Sequence, residues 1–180
     1  MQDMNLGGAS EMAKATSLLQ AAEERRAKRE TNLFLDVPSW DGDLVAEYKL
    51  IPPKEMTLIA ERVARKFKQN SNDATIGDIE LIIHSCVGLH MLDPDTGKRV
   101  AIEDEFGIVG YDRIASVLGK EDEVKSNADA VRYLTAERAE DGSWEENVTA
   151  INQHAQRIQR WMRDPSKRTV DLQELLSELA

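Results

Sequence analysis

Residues 33–51 read Leu33-Phe-Leu-Asp-Val-Pro-Ser-Trp-Asp-Gly-Asp-Leu-Val-Ala-Glu-Tyr-Lys-Leu-Ile51, and this stretch decides the fold class. Leu33, Leu35 and Val37 alternate with Phe34 and Asp36; Leu44, Ala46, Tyr48 and Leu50 alternate with Val45, Glu47 and Lys49. Successive side chains of an extended strand point to opposite faces, so a period of two predicts two strands. Pro38 ends the first, and Trp40-Asp-Gly-Asp43 supplies turn chemistry. The pattern predicts a β-hairpin with a connection of about six residues.

On either side the period changes to that of a helix. Downstream, Pro52-Pro53 stops the second strand, and Pro53 suits the first position of a helix. Met56, Ile59, Ala60, Val63, Ala64 and Phe67 follow at i, i+3, i+4, i+7, i+8 and i+11, an amphipathic stripe. The opposite face carries Lys54, Arg62, Arg65, Lys66 and Lys68. Upstream, residues 9–31 are rich in helix formers, with Ala15, Leu18, Leu19 and Ala22 on one narrow face. That segment reads as a helical arm behind eight disordered residues.

Ile76 to Leu92 is apolar on most sides and predicts one central buried helix, opened by a capping box of Thr75 with Asp78. Asp93-Pro-Asp-Thr-Gly97 predicts a turn between Met91-Leu92 and Val100-Ala-Ile102, hence a second small hairpin. Residues 110–119 and 124–138 read as two shorter helices. Ser143-Trp-Glu-Glu146 reads as a capping box opening a long helix through Trp144, Val148, Ile151, Ala155, Ile158 and Met162, closed by Asp164-Pro165. Leu172, Leu175, Leu176 and Leu179 mark a last short helix. The expected organisation is an arm over 1–31, a core over 32–164 and a C-terminal arm over 165–180. The expected fold is α+β, mostly α-helical: an N-terminal β-hairpin packed on a helical bundle, with a helical N-terminal arm.

Composition narrows the function. The 180 residues carry 33 acids against 23 bases, a formal charge of −10. Phosphate contact is dominated by Lys and Arg, so no nucleic-acid partner is expected. Aromatics are 5%, too few for base-stacking platforms. No apolar run is long enough to span a bilayer, so no membrane partner is expected. The single Cys86 has no intrachain disulfide partner and points to a reducing compartment. Met1-Gln-Asp-Met lacks the basic start of a secretory signal.

Candidate chemistry is sparse. Cys86 and His90 share a helical face at i, i+4, but His84 lies about 200° round from Cys86, so the three do not make a metal set. Asp93-Pro-Asp95-Thr-Gly97 places Gly at the fifth position of a calcium loop, where an oxygen ligand is needed. No phosphate-binding, dinucleotide or nucleophile-elbow pattern occurs. The reading is of no enzyme, no metal and no cofactor. The basic set Arg62, Arg65 and Lys66 and the Arg157, Arg160 and Arg163 row admit two readings. One is pairing with the chain's own surplus acids; the other is docking of an acidic or helical partner.

The order and texture of several segments carry a resemblance. They are Ile82-Ile83-His-Ser-Cys86-Val87-Gly88, Asp93-Pro-Asp-Thr-Gly-Lys-Arg-Val100, Tyr111-Asp-Arg-Ile-Ala-Ser-Val-Leu-Gly119, Ala128-Asp-Ala-Val131, Ala150-Ile151-Asn-Gln-His154 and Trp161-Met162. Across 33–163 the chain resembles the tail assembly chaperones of long-tailed phages that infect actinobacteria. The resemblance implies a non-enzymatic protein of the host cytoplasm that coats and solubilises the tape-measure protein while the tail tube assembles. It also implies contact with the tail tube protein, and self-association. The expected partner surface comprises Met12, Leu19 and Ala22, the basic trio, and Leu172, Leu175, Leu176 and Leu179. The alternatives are a structural virion protein, either a head–tail connector or minor tail component, and an acidic regulatory module.

Overall fold

The computed structural model describes residues 16–20, 23 and 32–164. Residues 16–20 are helical and solvent-exposed. Asn32–Met162 form one compact unit. Its elements are β1 (Leu33–Asp36), β2 (Leu44–Tyr48), α1 (Pro53–Gln69), α2 (Ile76–Ser85), β3 (Cys86–Leu92), β4 (Arg99–Ala101), β5 (Glu103–Asp104), β6 (Gly107–Ile108), α3 (Ile114–Val117), α4 (Asn127–Thr135), β7 (Glu137–Arg138), β8 (Trp144–Glu145) and α5 (Val148–Met162).

The first four strands form one antiparallel sheet in the order β1-β2-β3-β4, and β5-β6 and β7-β8 are separate two-stranded hairpins. The expected hairpin forms in the register Leu33↔Tyr48 to Asp36↔Val45. Its connection bends through three positive φ angles, Ser39 at 71°, Asp41 at 49° and Gly42 at 88°. Two of these are non-glycine residues in a region that costs L side chains energy, so the turn is held by its surroundings.

Alternation sorts the sheet's two faces. Leu35, Leu44, Ala46, Tyr48 and Leu89 enter the main core together with Ile82 of α2, Val131 and Leu134 of α4, and Ile151, Ala155 and Ile158 of α5. The other face is closed by a smaller polar and aromatic layer. The Phe34 and His90 rings meet edge-on at 5.4 Å, the Arg99 guanidinium lies 4.7 Å over Phe34, and His90 Nε2 is 2.8 Å from Glu47 Oε2.

Four expectations are corrected. The helix expected from Ile76 to Leu92 ends at Ser85, and β3 begins at Cys86. An apolar run cannot report its own period, so sequence leaves this switch undecided. Tertiary pairing decides it: β3 fills the slot between β2 and β4, and Lys49 N–H bonds Ser85 O at 2.8 Å. Thr75 makes no side-chain cap and instead bonds Asp73. The box at Ser143 does not open the long helix either. Ser143 bonds Asp141, Trp144-Glu145 pair with β7, and Asn147 Oδ1 accepts from Ala150 N–H at 2.8 Å at the start of α5. With eight strands among the described residues, the fold is a mixed α and β one rather than a mostly helical one. The turn at Asp93–Gly97 does join β3 to β4, in the register Leu92↔Arg99.

The core contains one polar thread. Tyr48 Oη lies 2.6 Å from His154 Nε2 and 3.1 Å from Tyr111 Oη. Burial, with Arg157 adding repulsion, pushes the His154 imidazolium down to about 4, so the ring is neutral at pH 7 and its bond to Tyr48 places no charge in the core. Burial also raises both phenols and pushes the adjacent Cys86 thiol up to about 12.

Two predictions follow from this packing. His154 takes a proton more readily when unfolded, near 6.5, than when folded, near 4. Its contribution is therefore complete above pH 6.5 and is lost as pH falls to 4, by up to about 3 kcal/mol. Urea unfolding across that window should show the slope in the native chain and lose most of it in His154→Gln. At Gly88, an added Cβ would stand 2.2 Å from Ile108 Cγ2. Gly88→Ala should destabilise by about 1–3 kcal/mol in the same assay, because β6 must shift to accept it.

Candidate functional site

The basic trio divides. Lys66 Nζ pairs with Glu80 Oε1, and Arg62 Nη1 lies 4.0 Å from Glu80 Oε2 and 2.7 Å from His84 Nε2. Glu80 is only 3% exposed, so two of the three bases neutralise a buried carboxylate on α2. They clamp α1 to α2. Arg65 makes no ion pair among the described residues; with Glu61, Ala64 and Lys68 it lines an open hollow on the outer side of α1. Leu19 is exposed. Met12, Ala22, Leu172, Leu175, Leu176 and Leu179 lie outside the described residues.

The remaining candidates separate as well. His84 faces Arg62 and Glu80, His90 faces Glu47, and the Cys86 thiol faces Gly88 O at 3.7 Å. No cluster able to hold a metal occurs among the described residues. Asp93 accepts from Asp95 N–H at 2.9 Å and from Thr96 Oγ1 at 2.7 Å, bonds that hold its carboxyl below the ordinary range and close the turn.

What the clamp leaves outside is the notable feature of α1. Of its 17 residues only Ile59 is buried. Met56, Ala60, Ala64 and Phe67 of the predicted stripe are exposed, and so is Leu58 on the far side of the helix. A helix with a wide apolar stripe normally turns it to the core. Here the core side is already filled by α2, α4 and α5, and α1 packs chiefly on α2. The outer edge of the stripe therefore meets solvent, while Ile59 is buried and Val63 half-buried against α2; Lys54, Arg65 and Lys68 stand on the helix's other exposed face.

A second surface feature escapes sequence reading. Ser39, Trp40, Tyr133, Leu134, Ala136 and Trp144 line a cavity of about 280 Å³. Trp40 is fixed, because its Nε1–H donates to Leu134 O at 2.8 Å across the hairpin turn and the end of α4. Trp144, expected in the core of the long helix, sits on β8 with two-thirds of its surface exposed. The available signal was that Trp40 and Trp144 each neighbour an Asp-Gly turn, where a bulky ring is exposed or bridges elements. A third cleft of about 300 Å³, lined by Lys66, Asp73, Glu80 and Arg132 among others, has its charges matched internally. Arg132 Nη2 lies 2.6 Å from Asp73 Oδ2, and its Nε lies 3.1 Å from Glu146 Oε1. Burial pushes Asp73 up, but bonds from Thr75 and the Arg132 charge outweigh it and hold the carboxyl below its usual value.

The clamp is testable. Glu80→Gln should lower stability by about 1–3 kcal/mol at pH 7, read as a shift of the urea midpoint, since it removes the charge that Lys66 and Arg62 neutralise. An unchanged midpoint would mean that α1 is held by Ile59 alone. No family model matches the chain, and no curated protein and no solved structure matches it either.

Proposed function

We propose that the chain is a non-enzymatic binding protein that holds an amphipathic helical partner in soluble form, as a phage tail assembly chaperone holds the tape-measure protein. The observation that carries this reading is the solvent-facing stripe of α1. Met56, Ala60, Ala64 and Phe67 form one ridge on a 17-residue helix whose buried contacts are almost confined to Ile59. Such a ridge suits a second helix laid along it, read at i, i+3, i+4 and i+7. The small Ala60 and Ala64 allow close approach, while Met56 and Phe67 supply most of the buried area. Lys68, one turn on from Ala64, borders the ridge and matches an acid on the partner's flank.

A tape measure is a long helical chain whose apolar stripes would aggregate if bare. An acidic protein that covers such a stripe keeps the complex soluble by its net charge. On this reading the segments around Leu19 and Leu172–Leu179 add apolar contacts to the partner, and the work is done in the host cytoplasm. Self-association and contact with the tail tube protein belong to the same proposal.

Co-expression with the tape-measure protein tests it. The native chain should keep that protein soluble and co-purify with it. Met56→Glu/Phe67→Glu should lower the soluble fraction several-fold without changing the far-UV circular dichroism of the chaperone, and so should a truncation removing 166–180. A partner that stays soluble without this chain would remove the chaperone reading. Recovery of this chain from purified particles would put a structural virion component in its place.

A further inference from the structure

The aromatic cavity differs from the α1 stripe in its charge. Its walls are Trp40, Tyr133 and Trp144, with Leu134 and Ala136 behind them. The two loops that carry the tryptophans are acidic. The hairpin turn holds Asp41 and Asp43 and no base. The β7–β8 segment holds Glu137, Glu140, Asp141, Glu145 and Glu146 against one base, Arg138. All seven carboxyl residues are exposed. Arg138 folds over its own turn, where an added Cβ on Gly142 would lie 3.6 Å from its Nη2. Asp41, Asp43, Glu140 and Glu145 make no ion pair with any described residue.

We infer that this cavity is a second docking site, which takes a peptide segment bearing an apolar side chain next to Lys or Arg. The apolar side chain fits between Trp40 and Trp144, and the cation lies over the exposed Trp144 face and among the loop carboxylates. A cation over an indole gains about 0.5–1 kcal/mol at an exposed site. Each rim carboxylate adds little alone, because surface pairs are screened. Several on one rim raise the encounter rate by about 10–10³-fold at low salt. The same charge argues against a second copy of this chain as the occupant, since a protein of net charge −10 is repelled by an acidic rim. Trp40 is already anchored through Leu134 O, so one wall of the site is rigid before anything binds.

The test uses the full chain carrying Met56→Glu/Phe67→Glu, so that the α1 ridge takes neither probe, and two synthetic amphipathic peptides with the same Leu and Ala face. One carries Lys and Arg on its polar face, the other Glu and Gln. Binding is followed by calorimetry and by tryptophan fluorescence. The basic peptide should bind about tenfold or more tightly than the acidic one at low salt, and the difference should shrink at about 0.5 M salt. Trp144→Ala should weaken the basic peptide. Asp41→Asn/Asp43→Asn/Glu140→Gln/Glu145→Gln should bring the two peptides level, and Asn tolerates the positive φ of position 41. Equal binding of both peptides, or binding of the basic one that is indifferent to Trp144→Ala, overturns the inference. Neither result bears on Met56 and Phe67, so the α1 reading stands or falls by its own experiment.

Discussion

The hydrogen bond between Tyr48 and His154, 2.6 Å long at the centre of the core, is the constraint on which the rest of the structure depends. It joins the central strand of the sheet to the last helix across 106 residues of sequence. Both side chains are almost wholly buried, so each polar atom must find its partner inside the protein. A neutral imidazole hydrogen-bonded to a phenol meets that demand without any buried charge, and Tyr111 extends the chain of bonds. A shift of α5 by part of a turn would leave His154 Nε2 unpaired and Tyr48 with Tyr111 alone, at about 1–3 kcal/mol for the orphaned group. The bond therefore fixes the rotation of α5 and, through Asn147 at its start, the position of the β7–β8 hairpin. The exposed Trp144 is held in place by a bond made deep in the core.

The sheet's second face follows a different rule. The helices that form the main core lie against one face of the four-stranded sheet, and the other face is closed by side chains of the sheet itself. Phe34, His90, Glu47 and Arg99 form an edge-to-face ring pair, a cation over a ring and a carboxylate–imidazole contact. Asn32 Nδ2 completes the Glu47 carboxylate at 2.7 Å. In this layer His90 Nε2 is engaged by Glu47. The same economy recurs at α1, where a polar clamp on Glu80 does the attaching that an apolar stripe usually does.

Much of the backbone was legible in the sequence wherever one local signal had no competitor. The period-two pattern of 33–51 gave the hairpin, Pro53 and the 3.6 period gave α1, and Asp93-Pro-Asp-Thr-Gly97 gave the β3–β4 turn. Asp164-Pro165 marked the end of α5, which stops at Met162. Reading failed where two physical descriptions fit the same residues. Ile76–Leu92 is apolar throughout, and only the vacancy between β2 and β4 makes its second half a strand. Ser143 and Glu146 satisfy a helix cap on paper, yet Asp141 and Arg132 claim them first. The amphipathic stripe of α1 was visible, but its exposure was not, because exposure depends on how much core the other helices occupy. The aromatic cavity was invisible for another reason. Its walls come from 39–40, 133–136 and 144, and no window along the chain contains them together.

Where the bases go explains where the acid surplus ends up. Arg62 and Lys66 neutralise Glu80, Arg132 bridges Asp73 and Glu146, and Arg113 bonds Asp104 and the Ile108 carbonyl. Arg99 lies on Phe34. Each of these bases ties two elements or a loop to the core, so the fold itself consumes them. Among the described carboxylates that no base reaches are Asp41 and Asp43 in the hairpin turn and Glu140 at the tip of β7–β8, segments with no such tie to make. Those are also the segments that present Trp40 and Trp144. The apolar cavity and its acidic rim thus share one origin: both lie in short turns whose side chains are released from packing duty, where rings and charges can face outward at little cost to the core.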